Sequence, residues 1–522
     1  MRTNESLWTA TSPAALGFPA LDRDMKADVV IVGGGIAGLT AALFLARRGR
    51  RVVVLEARSF ASGETGRTTA HLTELIDIGY DALEKKFGTD DTAKVAAASH
   101  AAIDSIDELC RELAPDAEFE RVPSYKVAEN DDQLKRLEHE LRAMRRAGLP
   151  VKWTGAPLPL PGLGALLLED QGQVHAGRLV RALVRELARL GVSLFENTRV
   201  REIHDGAPCR VVSDKALVQA GDVLVTTGVP ISSRVAIHTK IAAYRTYVVA
   251  GRVEDFPTGL YEDCASPYHY VRRQRTDRGL FVLVGGEDHR TGKHGKGNPF
   301  DALLAYATER IPDFAPEYFW SGQIIEPSDG LPFIGRTTSA EHIYVATGFS
   351  GTGITFGVLS AMLLTAAVER IESPWASLFA ATRVKPLAQA ERYLSENMTF
   401  PARLALDRLD RGDEVLTAAL APGKGRLVRD AHGHMLAVSR DDDGVLHTHS
   451  AVCPHLGCHV HWNELEQSWD CPCHGSRFNA RGEVLNGPAT RTLGSPPEER
   501  PRPTRRAPGS RRPKSGEPGR PR

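Results

Sequence analysis

The sequence predicts an α/β fold that carries an added α+β unit and is followed by a small all-β domain. The first part is indicated by residues 28–56, where an apolar strand, a glycine-rich turn, a helix and a second apolar strand follow one another. The all-β domain is indicated by residues 425–448, where short alternating apolar runs are separated by Gly and Asp. With 522 residues, the chain is long enough for more than one domain.

The glycine-rich turn predicts a Rossmann-type dinucleotide site. An apolar run over residues 28–32 leads directly into three glycines. Gly33 permits a tight turn, Gly35 lets the backbone approach a pyrophosphate, and Gly38 lets the helix pack closely on the strand. The N-terminus of that helix faces the phosphate charge. Glu56 ends the second strand, at the distance expected of an acceptor for a ribose hydroxyl.

Further segments favour a flavin over a nicotinamide cofactor. Glycine- and threonine-rich stretches occur at 61–70, 226–228, 329–335 and 348–353. A flavin stays bound through turnover, so one chain wraps it from many segments, whereas a simple glycine turn explains only one of them. The last stretch opens into a helix and can direct N–H groups at the ring edge that becomes negative on reduction. The predicted FAD-binding residues are Gly33, Gly35, Gly38, Glu56, Ser62, Thr65, Thr69, Thr227, Gly228, Gly330, Gly348, Gly351 and Gly353.

These segments predict the domain order. The predicted parts are a polar lead-in (1–26), an FAD-dependent unit (27–375), a linker (376–415), the all-β domain (416–495) and a disordered basic tail (496–522). The FAD-binding domain is discontinuous, because alternating strands predict an inserted α+β substrate domain at about 116–144 and 236–324.

Cysteine and histidine form two matched boxes near the C-terminus. The positions are Cys453, His455 and Cys458 in the first box and Cys471, Cys473 and His474 in the second. The pattern C-x-H, fifteen residues, C-x-x-H is the signature of a Rieske [2Fe–2S] centre, in which two thiolates bind one iron and two imidazoles the other. A structural zinc site is the competing interpretation. Zinc needs four ligands and does not explain six spaced positions, so the boxes favour the cluster and a one-electron relay.

These motifs together resemble a known family. Residues from about 6 to 383 resemble the D-amino-acid oxidase/glycine oxidase family of FAD-dependent oxidoreductases. The chain to about residue 493 is similar to a bacterial subgroup in which that flavoprotein is fused to a C-terminal Rieske domain. The matching stretches include 6–8, 33–56, 62–70, 268–272, 285–289, 320–323 and 329–335. The resemblance implies oxidation of C–N bonds in amines or amino acids, with hydride passing to the flavin, and does not supply the substrate.

The resemblance also implies the ligands of the cluster. The matching positions make Cys453 and Cys471 the ligands of one iron, and His455 and His474 the ligands of the other. Neutral histidine ligands place such a centre at roughly −150 to +300 mV, against about −400 mV for an all-cysteine plant-type cluster.

Three further features around the boxes follow from the resemblance. Cys458 and Cys473 match the pair that forms a disulfide beside the cluster in respiratory-type members. Ser476 matches a hydroxyl that hydrogen-bonds the cluster. Phe478 stands where the respiratory proteins have a tyrosine, and the missing hydroxyl is expected to lower the cluster potential.

Candidate catalytic residues lie on predicted strands of the substrate domain. Tyr268, Tyr270 and Arg272 alternate on one strand and are expected to share a face, as an aromatic wall with an arginine that binds a carboxylate. Arg245 and Tyr247 show the same pattern on a second alternating strand, with Arg245 as the residue that meets a carboxylate. His289 is a candidate to accept or relay a proton, because imidazole titrates near neutrality. Each of these residues can equally be an ordinary strand residue or a cofactor contact.

The attachment of FAD is expected to be non-covalent. His71 is the histidine near the pyrophosphate loop, and it does not fall where histidyl-flavin relatives attach FAD. No cysteine occurs near residues 348–353.

Three functions fit these features. In an amine or amino-acid dehydrogenase, FAD takes two electrons as hydride and passes them singly through the Rieske centre to an external acceptor. Such a relay is unnecessary if O₂ accepts electrons directly from the flavin. Alternatively, flavin and cluster form a non-enzymatic electron-transfer or redox-sensing module. A Rieske-coupled flavin monooxygenase is the third possibility, although the sequence shows no second glycine-rich unit for NAD(P)H.

Composition is that of an ordinary soluble enzyme, with 25% charged residues and a formal net charge of zero. No apolar run approaches the ~18 residues of a membrane span, and the N-terminus does not resemble a secretory signal. The seven cysteines do not form a secreted disulfide framework, so a cytoplasmic location is expected. The tail is rich in Pro, Arg and Gly, and such an end is more often solvated than bound to nucleic acid or a membrane.

Overall fold

The structure is a computed structural model in which the cofactor-binding part and the C-terminal part have separate sheets. It describes residues 4–12, 16–155, 159–231, 237–293, 297–338, 340–384 and 420–496. The predicted linker beyond residue 384 and the predicted disordered tail beyond residue 496 lie outside the described residues.

Helices and strands alternate up to residue 379, and the described part from residue 420 onwards contains strands. The α-helices are α1 Leu7–Thr11, α2 Ile36–Arg47, α3 Tyr80–Phe87, α4 Thr89–Leu113, α5 Asp131–Arg146, α6 Ala176–Arg189, α7 Pro299–Arg310, α8 Gly353–Val368 and α9 Ala376–Phe379. The first twelve strands are β1 Met25–Val32, β2 Val52–Leu55, β3 His71–Leu72, β4 Glu120–Ala128, β5 Lys152–Thr154, β6 Gly164–Gln173, β7 Ser193–Phe195, β8 Val200–His204, β9 Cys209–Ser213, β10 Leu217–Val225, β11 Ile241–Arg252 and β12 Leu260–Asp263. The remaining strands are β13 His269–Thr276, β14 Gly279–Arg290, β15 Ala315–Pro327, β16 Phe333–Arg336, β17 Ile343–Thr347, β18 Gly425–Arg429, β19 Met435–Arg440, β20 Leu446–Ser450, β21 His461–Asn463, β22 Ser468–Asp470, β23 Arg477–Asn479 and β24 Val484–Asn486. Within the described ranges, no helix has both the length and the apolar character that crossing a bilayer requires.

A mostly parallel sheet forms the centre of the cofactor-binding part. Its strand order is β16-β17-β10-β1-β2-β7, with β8 and β9 attached beside β10. Strand β1 lies between β2 and β10 and runs parallel to both, so their carboxyl ends meet at one edge. Helices α2 and α8 are apolar on nearly all sides and pack against each other over this sheet. This arrangement confirms the predicted α/β class and places Gly33 at the edge where dinucleotides bind.

A second, largely antiparallel sheet lies beside the first. Its order is β15-β11-β14-β13-β12-β4-β6-β3, with β5 paired to β6. Helix α7 covers one face through an apolar cluster that includes Val249, Val282 and Phe300. The sequence placed this sheet at about 116–144 and 236–324, but β3, β5 and β6 also belong to it. Strand β6 joins because its apolar residues pair along the whole length of β4.

A β-bulge in β14 decides which side chains face the cofactor side of this sheet. The pairing of β14 with β11 shifts register between Arg245 and Tyr247, and Glu287 has a φ of 56°. Because a bulge adds one residue, the residues after it point to faces opposite to those that strict alternation gives. Asp288 therefore faces the cofactor side. His289 lies on the other face, where its ring stacks on Tyr247 with centroids 5.5 Å apart.

Residues 420–496 form the predicted all-β domain. It contains two antiparallel sheets, ordered β18-β19-β20 and β21-β22-β23-β24. Its core includes Trp469 and Phe478, which are fully buried, together with Cys453 and Cys471. The two cysteine and histidine boxes lie in loops, one between β20 and β21 and the other between β22 and β23.

Candidate functional site

The loop between β1 and α2 has the close packing that a pyrophosphate-binding turn requires. Gly33 has a φ of 113°, and a Cβ there would lie 2.7 Å from the carbonyl oxygen of Thr226. A Cβ on Gly38 would overlap the carbonyl oxygen of Gly33, so glycine lets α2 approach the loop. The backbone N–H of Gly34 donates a hydrogen bond of 2.8 Å to Glu56, which fixes that carboxylate beside the turn. The turn and the helix N-terminus suit a diphosphate.

One cavity runs from this turn along the edge of the first sheet to the second sheet. Most of the predicted FAD-binding residues line it, namely Gly33, Gly35, Glu56, Thr65, Thr69, Thr227, Gly228, Gly348, Gly351 and Gly353. Gly38 packs behind the turn instead, and Gly330 packs on the side chain of Ile78. Ser62 lies outside the lining as well, and its hydroxyl is buried. The lining therefore suits a long, extended cofactor such as FAD.

The glycine-rich turn before α8 is held by Asp77. The N–H of Gly351 donates a hydrogen bond of 2.6 Å to this carboxylate. A Cβ on Gly351 would lie 3.1 Å from the Asp77 carboxylate and 3.4 Å from the hydroxyl of Tyr268. The turn thus connects the cofactor end of the cavity with the tyrosines of the second sheet.

Tyr268 and Tyr270 form the predicted aromatic wall. Both line the cavity, and their ring centroids are 5.8 Å apart. The hydroxyls of Tyr270 and Thr246 are 2.9 Å apart. A Cβ on Gly285 would overlap the ring of Tyr270, so this glycine makes room for the wall. Burial raises the pKa of both tyrosine hydroxyls above 10, so they stay protonated and can donate hydrogen bonds.

Acidic residues that the sequence reasoning missed surround this wall. Glu262 lines the cavity opposite Tyr270 in the strand register, and burial raises its pKa to about 7. Asp288 hydrogen-bonds with Thr246 and Tyr268, and burial likewise raises its pKa to about 7. One oxygen of Asp288 is buried without a hydrogen-bond partner among the described residues. Strand alternation could have identified Glu262, whereas the bulge hides Asp288.

His71 also borders the cavity and was not among the predicted catalytic residues. Its Nδ1 lies 3.2 Å from the hydroxyl of Thr69, and its ring meets that of Tyr270 edge-on. Its Nε2 is buried without a hydrogen-bond partner in the described part of the chain. Burial and the charge of Arg272 lower the pKa of His71 to about 3, so the imidazole is neutral near pH 7. A neutral imidazole can accept a hydrogen bond from an amine N–H.

Arg272 shares the face of the two tyrosines, as predicted, but its guanidinium is not part of the cavity wall. It is fully buried and donates a hydrogen bond of 2.8 Å to the carbonyl oxygen of Ala70. It also donates to Gln274 and lies over the ring of Trp8, 5.4 Å from the centroid. Arg272 therefore braces α1 and the segment before β3, and its position does not support the predicted carboxylate anchor.

Arg245 and His289 lie on the opposite face of the second sheet, away from the cavity. The guanidinium of Arg245 forms an ion pair of 2.7 Å with Glu466 of the C-terminal domain, and the two side chains are 1% and 4% exposed. It also donates to the hydroxyl of Ser321. His289 stacks on Tyr247 on this same face. Their positions do not support the predicted catalytic roles. The bulge turns His289 to this face, whereas the alternation of β11 places Arg245 on the face that meets the C-terminal domain.

The two boxes of the C-terminal domain fold into loops of the same form. In the first, the N–H of Gly457 donates to the carbonyl oxygen of Cys453 at 3.0 Å. In the second, Gly475 donates to Cys471 at 3.1 Å. Both glycines have positive φ, at 84° and 78°, which lets each loop turn back over its cysteine.

The loops bring the predicted ligands together in two pairs. The thiols of Cys453 and Cys471 are in hydrogen-bonding contact, and both residues are buried. The rings of His455 and His474 meet edge-on, with centroids 5.0 Å apart. Two thiols beside two imidazoles are the donor set that a Rieske [2Fe–2S] cluster requires.

The remaining cysteines of the boxes are joined to each other. Cys458 and Cys473 form a disulfide, which confirms the predicted pair. Their sulfurs and that of Cys471 lie within 4.8 Å of one another, but disulfide sulfurs are not thiolate ligands. Ser476 is fully buried, and its hydroxyl hydrogen-bonds the thiol of Cys453.

The C-terminal domain closes one side of the cofactor cavity. Residues 485–487 and 489–490 form part of the cavity lining. Asn486 donates a hydrogen bond of 2.8 Å to Glu64, and Arg199 donates one of 3.0 Å to the carbonyl oxygen of Val484. The two domains therefore share one wall of the cavity.

The cluster loops also contact this wall. Gln323 lines the cavity, and its side-chain amide donates a hydrogen bond of 2.8 Å to the carbonyl oxygen of Gly475. The ring of His238, just before β11, lies 4.7 Å from that of His455 and 5.5 Å from that of His474, centroid to centroid. Gln323 therefore connects the cavity wall with the second cluster loop.

Comparisons with known proteins agree with this geometry. A family model described as FAD dependent oxidoreductase (DAO) matches residues 28–367, and one described as Rieske [2Fe-2S] domain matches residues 415–497. The chain belongs to the DAO family of FAD-dependent oxidoreductases and carries a C-terminal Rieske domain. Its cofactors are accordingly FAD and a [2Fe–2S] cluster.

Individual relatives support both parts of this assignment. The chain is 32% identical over 498 residues to YhfW of Bacillus subtilis, named as a Rieske 2Fe-2S iron-sulfur protein, covering 94% of this chain and 97% of that protein. It is 26% identical over 404 residues to gamma-glutamylputrescine oxidoreductase of Escherichia coli, covering 70% and 90%. The crystal structure of glycine oxidase from Geobacillus kaustophilus has the same fold, with a TM-score of 0.61, 23% identity and coverage of 69% and 99%.

Proposed function

We propose that the chain is an amine dehydrogenase in which FAD takes two electrons from an amine and passes them singly, through the Rieske cluster, to an external acceptor. The observation that carries this proposal is the hydrogen bond between Gln323, in the cavity wall, and Gly475, in the cluster loop. A cluster that only stabilised its own domain would not need to contact the cofactor cavity.

The residues that would hold FAD follow from the cavity lining. The turn at Gly33 and Gly35 would bind the diphosphate without a covalent bond, and Glu56 would bind a ribose. The N–H groups of the 348–353 turn would face the flavin ring. When bound, FAD supplies a two-electron acceptor for the hydride on the carbon next to the substrate nitrogen.

The substrate side of the cavity provides orientation and proton transfer. An amine must be neutral at the nitrogen that is oxidised, because an ammonium cannot become an imine by losing hydride alone. His71 Nε2 would accept a hydrogen bond from that nitrogen, and Tyr268 and Tyr270 would hold the carbon chain. Loss of one hydride and one proton converts the amine to an imine.

The relatives support oxidation of C–N bonds. One is named for gamma-glutamylputrescine and another for glycine, an amine derivative and an amino acid. Three arginines line the cavity, Arg58, Arg67 and Arg199, and each guanidinium already donates to a backbone carbonyl oxygen, that of Ser62, Ser321 and Val484 respectively. This favours an amine over an amino acid.

Anaerobic stopped-flow reduction of the full-length holoenzyme with a panel of amines tests the proposal. The flavin band should bleach first and the cluster band afterwards. A Cys471→Ser variant, which removes one cluster ligand, should retain the first phase and lack the second. The relay is excluded if wild-type flavin turns over with O₂ while the cluster stays oxidised.

The amine panel, together with product analysis in air, separates the two other functions. A non-enzymatic redox module predicts no flavin reduction by any amine. A Rieske-coupled monooxygenase predicts a requirement for an external reductant and incorporation of oxygen into the product.

We also infer a cytoplasmic location. Cys110 and Cys209 are buried free thiols, as in proteins of reducing compartments. The disulfide is compatible with such a compartment because Cys458 is 2% exposed.

A further inference from the structure

We propose that the substrate carries a second cationic group, as a diamine or polyamine does, and that Glu262 with its acidic neighbours binds this second ammonium. The proposal rests on the proposed function, since it assigns the substrate class for amine oxidation in the same cavity.

The first support is the charge around the tyrosine wall. Glu262 and Asp77 line the cavity, and Asp288 lies behind Tyr268, to which it is hydrogen-bonded. The cation nearest to Glu262 in the sheet is Lys126, its register partner on β4. Glu262 and Asp77 thus face the ammonium group of Lys126, with Asp288 behind the tyrosine wall, and these acidic surroundings favour a cation.

The second support is that the two arginines predicted to meet a carboxylate are committed elsewhere. Arg272 is bonded to backbone carbonyls and to Gln274, and Arg245 is paired with Glu466 across the domain interface. A substrate with an α-carboxylate would meet acidic groups at this end of the cavity. The cost of placing like charges together in a buried site disfavours such a substrate.

The third support is that two buried polar atoms have no hydrogen-bond partner among the described residues. They are Oδ1 of Asp288 and Nε2 of His71, which is 8% exposed and lines the cavity. Buried polar atoms are usually hydrogen-bonded, so these two atoms are available to a ligand or to water. One is an acidic oxygen that suits an ammonium, and the other is a neutral nitrogen that suits an uncharged amine. A diamine supplies both kinds of group.

The aromatic wall fits the same class of substrate. The faces of tyrosine rings attract cations, and Tyr268 and Tyr270 lie between His71 and the acidic residues. The amine at His71 loses a hydride and a proton, whereas the ammonium at Glu262 keeps its charge throughout. The second group therefore contributes binding and orientation without taking part in the redox step.

Anaerobic flavin reduction in the full-length holoenzyme tests the inference with compounds of equal chain length. The probes are butane-1,4-diamine, butylamine and 4-aminobutanoate, with alanine as an α-amino acid. The second-order rate constant should be at least about tenfold higher for the diamine than for butylamine, a ratio equivalent to about 1.4 kcal/mol. It should be lower still for 4-aminobutanoate and alanine.

Glu262→Gln identifies the binding residue, because it keeps the shape of the side chain and removes its charge. The diamine-to-butylamine ratio should fall to below about threefold. Glu287→Gln is the matched control, since Glu287 belongs to the same sheet but pairs with His269 on the opposite face, at 3.3 Å. The diamine-to-butylamine ratio of this control should equal that of the wild type. All variants are compared at equal FAD content.

The outcomes separate this inference from the proposed function. Equal rates with diamine and butylamine, faster reduction by alanine, or an unchanged ratio in Glu262→Gln would overturn the substrate class while amine oxidation stands. If no compound bleaches the flavin, the proposed function fails. In that case binding is measured by the perturbation of the oxidised flavin spectrum. Tighter binding of the diamine than of butylamine, with the difference lost in Glu262→Gln, would still support the binding site. The absence of such a perturbation would overturn it.

Discussion

The side-chain amide of Gln323 donates a hydrogen bond of 2.8 Å to the carbonyl oxygen of Gly475. Gln323 lines the cofactor cavity, and Gly475 follows the predicted cluster ligand His474. A Cβ on Gly475 would overlap Ala243, so a glycine lets the loop approach the sheet this closely. The two redox sites are therefore joined by a short path of covalent bonds and one hydrogen bond.

Replacing Gln323 with leucine should slow electron transfer to the cluster more than it slows flavin reduction. The variant leaves the Gly475 carbonyl without its donor, at a cost of about 1–3 kcal/mol, and loosens the contact between loop and sheet. Stopped-flow absorbance should show cluster reduction slowed by about tenfold, a difference of about 1.4 kcal/mol. Gln467→Leu is the control, because Gln467 bonds to Asp442 at the surface of the C-terminal domain. Equal cluster rates in the Gln323 variant and the wild type would mean that electrons take another route.

The ion pair of Arg245 with Glu466 should hold the Rieske domain against the flavin domain. Glu466 also pairs with Arg477 at 2.6 Å, and Arg245 and Arg477 together lower the pKa of Glu466 despite its burial. Removing one partner of a buried pair costs about 3–5 kcal/mol, whereas replacing both by apolar groups is often neutral. Arg245→Met should therefore lower the denaturant midpoint for loss of the cluster, and adding Glu466→Leu should restore part of it.

The control for this prediction lies on the same strand. Arg252 pairs with Glu317 at 2.7 Å, but these side chains are 47% and 33% exposed. Arg252→Met should change stability by no more than about 1 kcal/mol, because exposed pairs contribute little. If Arg245→Met and Arg252→Met shift the midpoint equally, the buried pair does not hold the domains together.

The parts of the site that were predictable are those written in local sequence. Gly33 has the positive φ of a tight turn, and a Cβ on Gly38 would overlap the carbonyl oxygen of Gly33, so the spacing of these glycines identifies the loop. The pairs Cys453 with Cys471 and His455 with His474 depend on two loops of one form, each encoded by a short box. Such features need no knowledge of distant packing.

The parts that were not predictable depend on the relation between distant elements. Arg245 and Tyr247 share a face, as alternation predicts, but that face meets Glu466, which lies more than two hundred residues later in the sequence. Asp288, and not His289, lies on the cavity side of the sheet because of the bulge at Glu287, whose positive φ leaves no mark in the hydrophobic pattern. Alternation along a strand shows whether two residues share a face of the sheet. It does not show which part of the protein that face contacts.

Ser476→Ala should lower the reduction potential of the cluster. The Ser476 hydroxyl hydrogen-bonds the thiol of Cys453, and such a donor stabilises the more negative reduced cluster. Loss of a hydrogen bond of about 1.4 kcal/mol corresponds to about 60 mV for a one-electron couple. A redox titration followed by electron paramagnetic resonance measures the shift. Ser439→Ala is the control, since Ser439 bonds to Ala480 in the same domain, and an unchanged potential in Ser476→Ala would rule out this role.

His175→Asn should make the stability of the protein less sensitive to mild acid. His175 caps α6 by accepting a hydrogen bond from the N–H of Arg178, and its Nε2 lies 2.9 Å from the hydroxyl of Thr11. Burial lowers its pKa to about 3, so the folded protein keeps this imidazole neutral, whereas in the unfolded chain it takes up a proton below pH 6.5. Its contribution to stability is thus complete above pH 6.5 and is lost as the pH falls from 6.5 towards 3, by at most about 1.4 kcal/mol per pH unit.

Asparagine keeps the helix cap and cannot titrate in this range, so the variant separates capping from protonation. Thermal unfolding is measured from pH 7.5 to pH 5, a fall of about 2.5 units. Over this range, His175→Asn should lose less of its Tm than the wild type. The residual slope should reflect His71, whose pKa is lowered to about 3 by burial and by Arg272. His139→Asn, at an exposed position of α5, should follow the wild-type curve. If the His175→Asn and wild-type curves superimpose, proton uptake by His175 does not drive the acid sensitivity.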